Sequence, residues 1–177
     1  MRIAILNYEH AVPTCVTGPA EIWSTLDSIR HLPADTAVKP NIVIDYIRAH
    51  RKKLWCKAIN TTKEELLATE QVYDLVIIPA MRSTKMDEVI QKERALVDWL
   101  KQQHNKGADL ASICIGAFLF AETGLLHGKK VTTNLRFAGL FRQRYPEVEV
   151  QDDKIIVDQA NICTCGGAFI FTTFMIY

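Results

Sequence analysis

Residues 109–124 read Asp109-Leu110-Ala111-Ser112-Ile113-Cys114-Ile115-Gly116-Ala117-Phe118-Leu119-Phe120-Ala121-Glu122-Thr123-Gly124. A short apolar run over 110–113 stops at Cys114, Gly116 follows two residues later, and an apolar helical pattern then begins. That order predicts a thiol at a tight strand-to-helix turn, beside the unpaired N–H groups of a helix N-terminus. Such an end carries partial positive charge, and a cysteine there falls from a pKa of about 8.5 into roughly the 3.5–7.5 range. The same layout serves the nucleophile elbows of α/β hydrolases, where a small residue after the nucleophile lets the chain turn sharply. A buried apolar cysteine fits the local pattern equally well. The turn by itself therefore leaves nucleophile and core filler both open.

On either side of this stretch, strand and helix signals alternate. Residues 2–7 read as a buried first strand, and Gly18-Pro19 as the start of a helix through Glu21, Ile22, Trp23 and Leu26, with Pro19 in its first turn. Residues 42–47 and 53–58 read as strands, the second as an edge hairpin partner. Residues 74–79 form a continuous apolar run of the kind covered on both faces. Residues 85–104 carry a helical stripe of Met86, Val89, Ile90, Leu96, Val97 and Leu100, with Gly107 as the expected C-cap. Beyond the elbow helix come a strand at 130–133, a helix at 135–145 stopped by Pro146, and short strands at 148–150, 155–158 and 162–165. The sum predicts an α/β fold: a three-layer α/β/α sandwich on a mostly parallel, flavodoxin-like sheet. Right-handed crossovers would put the elbow at the carboxyl edge of that sheet, where such folds place their sites.

The 177 residues fit one domain with a sizeable core. A net charge of +1 gives no electrostatic case for nucleic acid or an anionic membrane. No apolar run approaches the roughly 20 residues of a membrane span, and the N-terminus is too short an apolar run for a signal peptide. A cytoplasmic protein is the expectation. Five cysteines, at 15, 56, 114, 163 and 165, are an odd number in a domain that needs no stapling, and read as reduced thiols. A metal site built from Cys15, Cys114, Cys163 and Cys165 lacks normal ligand spacing, so neither metal nor cofactor is expected. The ending, Gly166-Gly167 and then an apolar helical run to Tyr177, leads us to expect a fragment of a longer protein.

Several motifs together resemble the ThiJ/PfpI family of the class I glutamine-amidotransferase-like superfamily. They are Thr17-Gly18-Pro19-Ala20-Glu21-Ile22-Trp23, Asp74-Leu75-Val76-Ile77-Ile78-Pro79, and Cys114-Ile115-Gly116-Ala117-Phe118 with the following 121–129 segment. Thr132-Thr133-Asn134, Arg144-Tyr145-Pro146 and Thr164-Cys165-Gly166-Gly167-Ala168 complete the set. They run in family order across nearly the whole chain. The match is best with the branch that forms the N-terminal domain of AraC-type transcription regulators and includes isocyanide hydratases.

The departures bear on chemistry. The resemblance implies a carboxylate three residues before the Gly-Pro of the first helix; this chain has Cys15. It implies a histidine after the paired threonines; this chain has Asn134. The residue after the elbow cysteine, often threonine, is Ile115, and the glycines that follow the proline of the 74–79 strand are Ala80 and Met81. A cysteine nucleophile needs a base or cationic partner to fix its ionisation. Asn134 can donate and accept hydrogen bonds but cannot exchange a proton near neutral pH. Losing a general acid–base costs about 10²–10⁴-fold in rate.

Under this reading the resemblance implies a ligand-sensing and dimerisation domain of an AraC-type regulator, non-catalytic, with DNA bound only through a separate C-terminal domain. Cys114, Cys15, Gly18, Ile115, Gly116, Asn134, Cys165 and Gly166 would line a small pocket for a small-molecule ligand, with His10 reaching it from the loop after the first strand. The rival is a cysteine-dependent hydratase or hydrolase of the isocyanide hydratase type, with Cys114 as nucleophile and His10 or Glu21 as replacement base. A third reading is a thiol redox sensor with Cys114 oxidised or cross-linked to Cys15 or Cys165. Glu21 also reads as a first-turn acid complementing the helix dipole, His127 as an exposed cap, and His50-Arg51-Lys52-Lys53 as a solvated basic turn.

Overall fold

A computed structural model describes residues 1–29, 42–49, 59–60, 66, 69–168 and 171–174. The buried runs of the sequence become the centre of one sheet. β1 (Arg2–Leu6), β2 (Val43–Arg48), β3 (Ile59–Asn60), β4 (Leu75–Ile78) and β5 (Asp109–Ile113) are followed, after a small separate pair, by β8 (Ile156–Gln159) and β9 (Ile162–Cys165). The spatial order is β3-β2-β1-β4-β5-β9-β8, with every pairing parallel except the β8–β9 hairpin. The separate pair is β6 (Lys130–Val131) with β7 (Glu149–Val150), also parallel. Helices α1 (Pro13–Ile29), α2 (Met86–Lys92), α3 (Arg94–Asn105), α4 (Gly116–Ala121), α5 (Ala138–Arg144) and α6 (Phe171–Phe174) flank the main sheet. The arrangement is the expected flavodoxin-like α/β fold.

The central strands are Val, Ile and Leu on both faces because helices cover both. Ile3, Ile5, Val76, Ile77, Leu110 and Ile113 are buried, and Leu96, Trp99, Leu100, Phe118 and Phe141 close over them. Fully burying such side chains stabilises by about 1.5–3 kcal/mol each. Phe118 and Phe141 meet edge to face at 4.9 Å, tying α4 to α5.

Four expectations need correction or limitation. α1 opens at Pro13, not at Gly18-Pro19, so Pro19 lies inside the helix and Glu21 lies past its first turn, exposed. Pro13 takes the N-terminal position where its missing N–H costs nothing. The 85–104 helix is two: a 3-10 turn at Ser83–Lys85 leads into α2, and Glu93, with φ −94° and ψ 27°, separates α2 from α3. Glu93 is buried, and its carbonyl takes the N–H groups of Leu96 and Val97, restarting the helix. The 135–145 helix likewise begins as a 3-10 turn, Leu135–Phe137, before α5. The expected 53–58 strand, Cys56 and the basic turn at 50–53 lie outside the described residues; Ile59–Asn60 pairs with β2 in parallel, which is not hairpin geometry.

The cap at Gly107 holds. Its φ is +98°, its N–H reaches the His104 carbonyl, and the Ala108 N–H reaches that of Gln103. These two bonds are the Schellman pattern, and they return the chain to β5.

Candidate functional site

β5 ends at Ile113, and Cys114 turns the chain with φ +57°. A left-handed backbone costs a non-glycine residue about 1–2 kcal/mol, so the surroundings must hold it. They do so from three sides. The Cys114 N–H donates to the Cys165 carbonyl at 2.7 Å, continuing the β5–β9 ladder one step past its last rung. The Thr133 hydroxyl donates to the Cys114 carbonyl at 3.0 Å. Gly116 then lies so close to the end of β4 that a Cβ would stand 2.5 Å from the Pro79 carbonyl oxygen and 2.6 Å from that of Ile78. Only glycine allows α4 to start there.

The sulfur of Cys114, on a residue only 6% exposed, accepts a hydrogen bond from Asn134 Nδ2 at 3.4 Å. Asn134 is fixed in turn, because its Oδ1 accepts the Arg136 N–H at 3.1 Å as the cap of the 3-10 turn. The amide therefore has one orientation, with its NH2 group toward the sulfur. The paired threonines before it are anchored too. Thr132 N–H donates to Thr164 Oγ1 and Thr132 Oγ1 donates to the Lys154 carbonyl, both at 2.8 Å.

Two further thiols close on this point. Cys15, fully buried in the first turn of α1, donates to the Ala168 carbonyl at 3.7 Å. Burial pushes its pKa up to about 11, with the Ala80 backbone opposing and the Cys114 charge adding to the rise. Cys165, at the end of β9, donates to the Gly167 carbonyl at 3.4 Å, and burial pushes it up to about 11 as well. Both thiols are protonated at neutral pH and offer no base. Cys163 is held higher, at about 12, by burial first and then by the Asp158 charge. Among the described residues, no three His, Cys, Asp or Glu side chains are placed to hold a metal ion together.

The remaining predicted residues fall as follows. Ile115 is buried and caps α4; Gly166 is half-buried, where a Cβ would meet Thr132 Oγ1 at 3.3 Å and the Thr133 carbonyl at 3.4 Å. Gly18 lies half-buried in α1 beside Pro19. His10 also has left-handed backbone, φ +66°, but its Nε2 faces Glu88 Oε1 at 3.7 Å, in a surface cluster with Lys85, Lys92 and Glu9. His127 is an exposed cap paired with Glu147 at 2.9 Å. Glu122 is occupied, taking the Tyr145 hydroxyl at 2.7 Å and Arg94 at 3.1 Å.

Sequence reasoning missed Tyr8. Its ring is buried two residues beyond β1, and its hydroxyl donates to the Pro79 carbonyl, the same oxygen that Gly116 approaches. Burial holds that hydroxyl well above its ordinary pKa, and the charges of Cys15, Glu93 and Cys114 add to the effect. The usable signal was topological: Tyr8 follows the central strand on the edge that carries Cys114.

A turn of this kind, after the strand beside the centre of this sheet, has relatives. The sequence pattern of the DJ-1/PfpI family matches residues 32–176. The chain belongs to the DJ-1/PfpI family. Over 73 residues it is 33% identical to the HTH-type transcriptional regulator CdhR of Pseudomonas aeruginosa, covering 41% of this chain and 22% of the relative. Over 108 residues it is 29% identical to Protein DJ-1alpha of Drosophila melanogaster, covering 61% and 47%. The chain thus spans less than half the length of either. A solved structure of a candidate transcriptional regulator protein from Vibrio parahaemolyticus superposes with a TM-score of 0.77 at 18% identity, over 99% of this chain and 90% of that one. The DJ-1/PfpI relatives of this chain therefore include a transcriptional regulator as well as a DJ-1 protein. Among the described residues no helix is long and apolar enough to cross a membrane.

Proposed function

We propose that this DJ-1/PfpI domain is the ligand-sensing and dimerisation module of an AraC-type transcription regulator, cytoplasmic and without turnover of its own. DNA would be contacted by a different domain of such a regulator. The observation that carries the reading is the amide at Asn134: the group that faces the Cys114 sulfur can donate a hydrogen bond but cannot shuttle a proton. Cys15, standing where the resemblance implies a carboxylate, is a protonated thiol at neutral pH. The identity shared with the CdhR regulator supports the same direction.

The test pairs binding with turnover. Thermal shift against a panel of small apolar and zwitterionic metabolites should find a ligand whose binding is weakened by Cys114→Ser or Asn134→Ala. The same protein should show no Cys114-dependent hydration of isocyanides or hydrolysis of activated acyl compounds. Multiple turnovers abolished by Cys114→Ser would overturn the non-catalytic reading.

A second reading has one observation in its favour. Left-handed backbone at Cys114 is the geometry that presents a nucleophile at a strand-to-helix turn. A cysteine-dependent hydratase or hydrolase would show an alkylation profile for Cys114 with a midpoint well below the ordinary thiol range, and an ordinary midpoint would remove it.

A further inference from the structure

The charged side chains that the sequence offers to the Cys114 turn are committed elsewhere. His10 turns to Glu88, at 3.7 Å, in the cluster with Lys85 and Lys92. Glu122 takes the Tyr145 hydroxyl and Arg94, so its charge and that of Arg94 answer each other. Glu21 is exposed on α1. Arg136, two residues past Asn134, is exposed too, so water screens its charge. The buried carboxylate of Glu93 acts on the Tyr8 hydroxyl, not on Cys165.

The groups gathered about the turn are neutral. They are the Asn134 amide, the Thr133 hydroxyl, and the thiols of Cys15 and Cys165, which burial keeps protonated at neutral pH. Cys163 supplies the contrast. Two residues back along β9 it feels the charges of Asp158 and Asp109, whereas the charge acting on Cys165 is that of Cys114. An ion brought to the turn would leave water and meet no opposite charge among the described residues, which disfavours it steeply. An uncharged polar group loses only hydrogen bonds, and the site can return them. Asn134 Nδ2 carries two hydrogens, one spent on the Cys114 sulfur and one to give to an acceptor.

We propose that the site at Cys114 selects molecules with no formal charge that carry a hydrogen-bond acceptor, such as an amide, ketone, alcohol or nitrile, and rejects carboxylates, amines and zwitterions. The proposal rests on reading this site as the sensing pocket of the domain. Asn134 sets the selection. Its Oδ1 is committed to the Arg136 N–H, so it faces the sulfur as a donor of fixed orientation and no charge. An aspartate in its place would keep that cap through one carboxylate oxygen and bring a negative charge beside the sulfur.

The test uses three methanethiosulfonates of similar size, bearing a hydroxyethyl, an ammonioethyl or a carboxyethyl group. Each transfers its thioalkyl group to a thiolate, forming an S–S bond and releasing methanesulfinate. Rates at Cys114 are read near neutral pH by digestion and mass spectrometry. Each is divided by the rate of the same reagent with β-mercaptoethanol, which removes the reagent's own reactivity. The hydroxyethyl reagent should lead both charged reagents by about tenfold or more. In Asn134→Asp the ammonioethyl reagent should gain about tenfold on the hydroxyethyl one, and the carboxyethyl reagent should fall further.

Equal normalised rates on the unsubstituted protein, or a lead for either charged reagent, would overturn the proposal. So would a Cys114 that none of the three modifies. An unchanged ranking in folded Asn134→Asp would overturn the assignment to Asn134. The unsubstituted protein decides the ligand class by itself, so a variant that fails to fold does not obscure it. Thermal-shift screening separates this proposal from the reading beneath it. A zwitterionic ligand weakened by Cys114→Ser would sustain the sensing module and overturn the uncharged class. Charge selection at Cys114 with no ligand found would sustain the class and count against the module.

Discussion

His10 and Cys114 share an uncommon backbone, both with positive φ and both just past a parallel strand on the same edge. Their surroundings differ in every other respect. His10 faces solvent-screened charges around Glu88, whose carboxyl is held down to about 2 by Lys92 and Lys85. Cys114 is enclosed by the Cys165 carbonyl, the Thr133 hydroxyl, the Asn134 amide and a glycine with no room for a side chain. A left-handed residue in a loop is therefore a weak sign of function. One that is fixed by hydrogen bonds to its N–H, its carbonyl and its side chain is a strong one.

The largest contrast should appear at Gly116. Alanine there would press its Cβ on two carbonyl oxygens of β4 and its exit, backbone atoms that cannot swing aside. We expect Gly116→Ala to cost about 3 kcal/mol or more in urea denaturation. A loss below about 1 kcal/mol would mean the Cys114 turn is as compliant as the His10 turn. Next in size is Asn134→His, which restores a proton acceptor beside the sulfur. Alkylation of Cys114 by iodoacetamide near pH 7 should accelerate about tenfold. An unchanged rate would show that residue 134 does not govern the thiol.

Tyr8 links the two turns, since it precedes His10 and supports the Pro79 carbonyl against which Gly116 packs. Tyr8→Phe should cost about 1–2 kcal/mol through the carbonyl left without its donor. At the left-handed residues themselves the signs should differ. His10→Gly should gain about 0.5 kcal/mol by relieving strain, whereas Cys114→Gly should lose about 1 kcal/mol with its buried sulfur contacts. The pH dependence is confined to the alkaline side. Burial raises the folded-state pKa of Cys15 and Cys165 from 9.0 to about 11, so the folded chain holds protons that the unfolded chain has released. Their contribution to stability is complete below pH 9 and lost as the pH rises to about 11. A Cys15→Ala, Cys165→Ala protein should show a flatter denaturation midpoint over that window.

The sheet was legible in the sequence because its central strands are unbroken apolar runs, which need cover on both faces whatever the details. Cys114 was legible for a related reason: a cysteine between such a run and Gly116 has few other places to be. Helix starts were harder. The break at Glu93 leaves the apolar stripe intact, and only the buried carboxylate and its dihedrals reveal it. His10 shows the limit of arguing from an edge. Topology puts it near the site, while Glu88, from an element far along the chain, decides where its ring points. Tyr8 shows the reverse. The bond from its hydroxyl to Pro79 depends on two strands becoming neighbours.

Pro19 inside α1 has a consequence of a different order. A proline carries no amide proton, so the carbonyl of Cys15, four residues earlier, loses the donor that a regular α-helix would give it. The hydroxyl of Thr17 returns to the Pro13 carbonyl at 3.1 Å, a local bond that further loosens the ladder. In hydrogen exchange α1 will behave as two objects. The turn that carries Cys15 will open on its own, while the helix beyond Pro19 will exchange with the core.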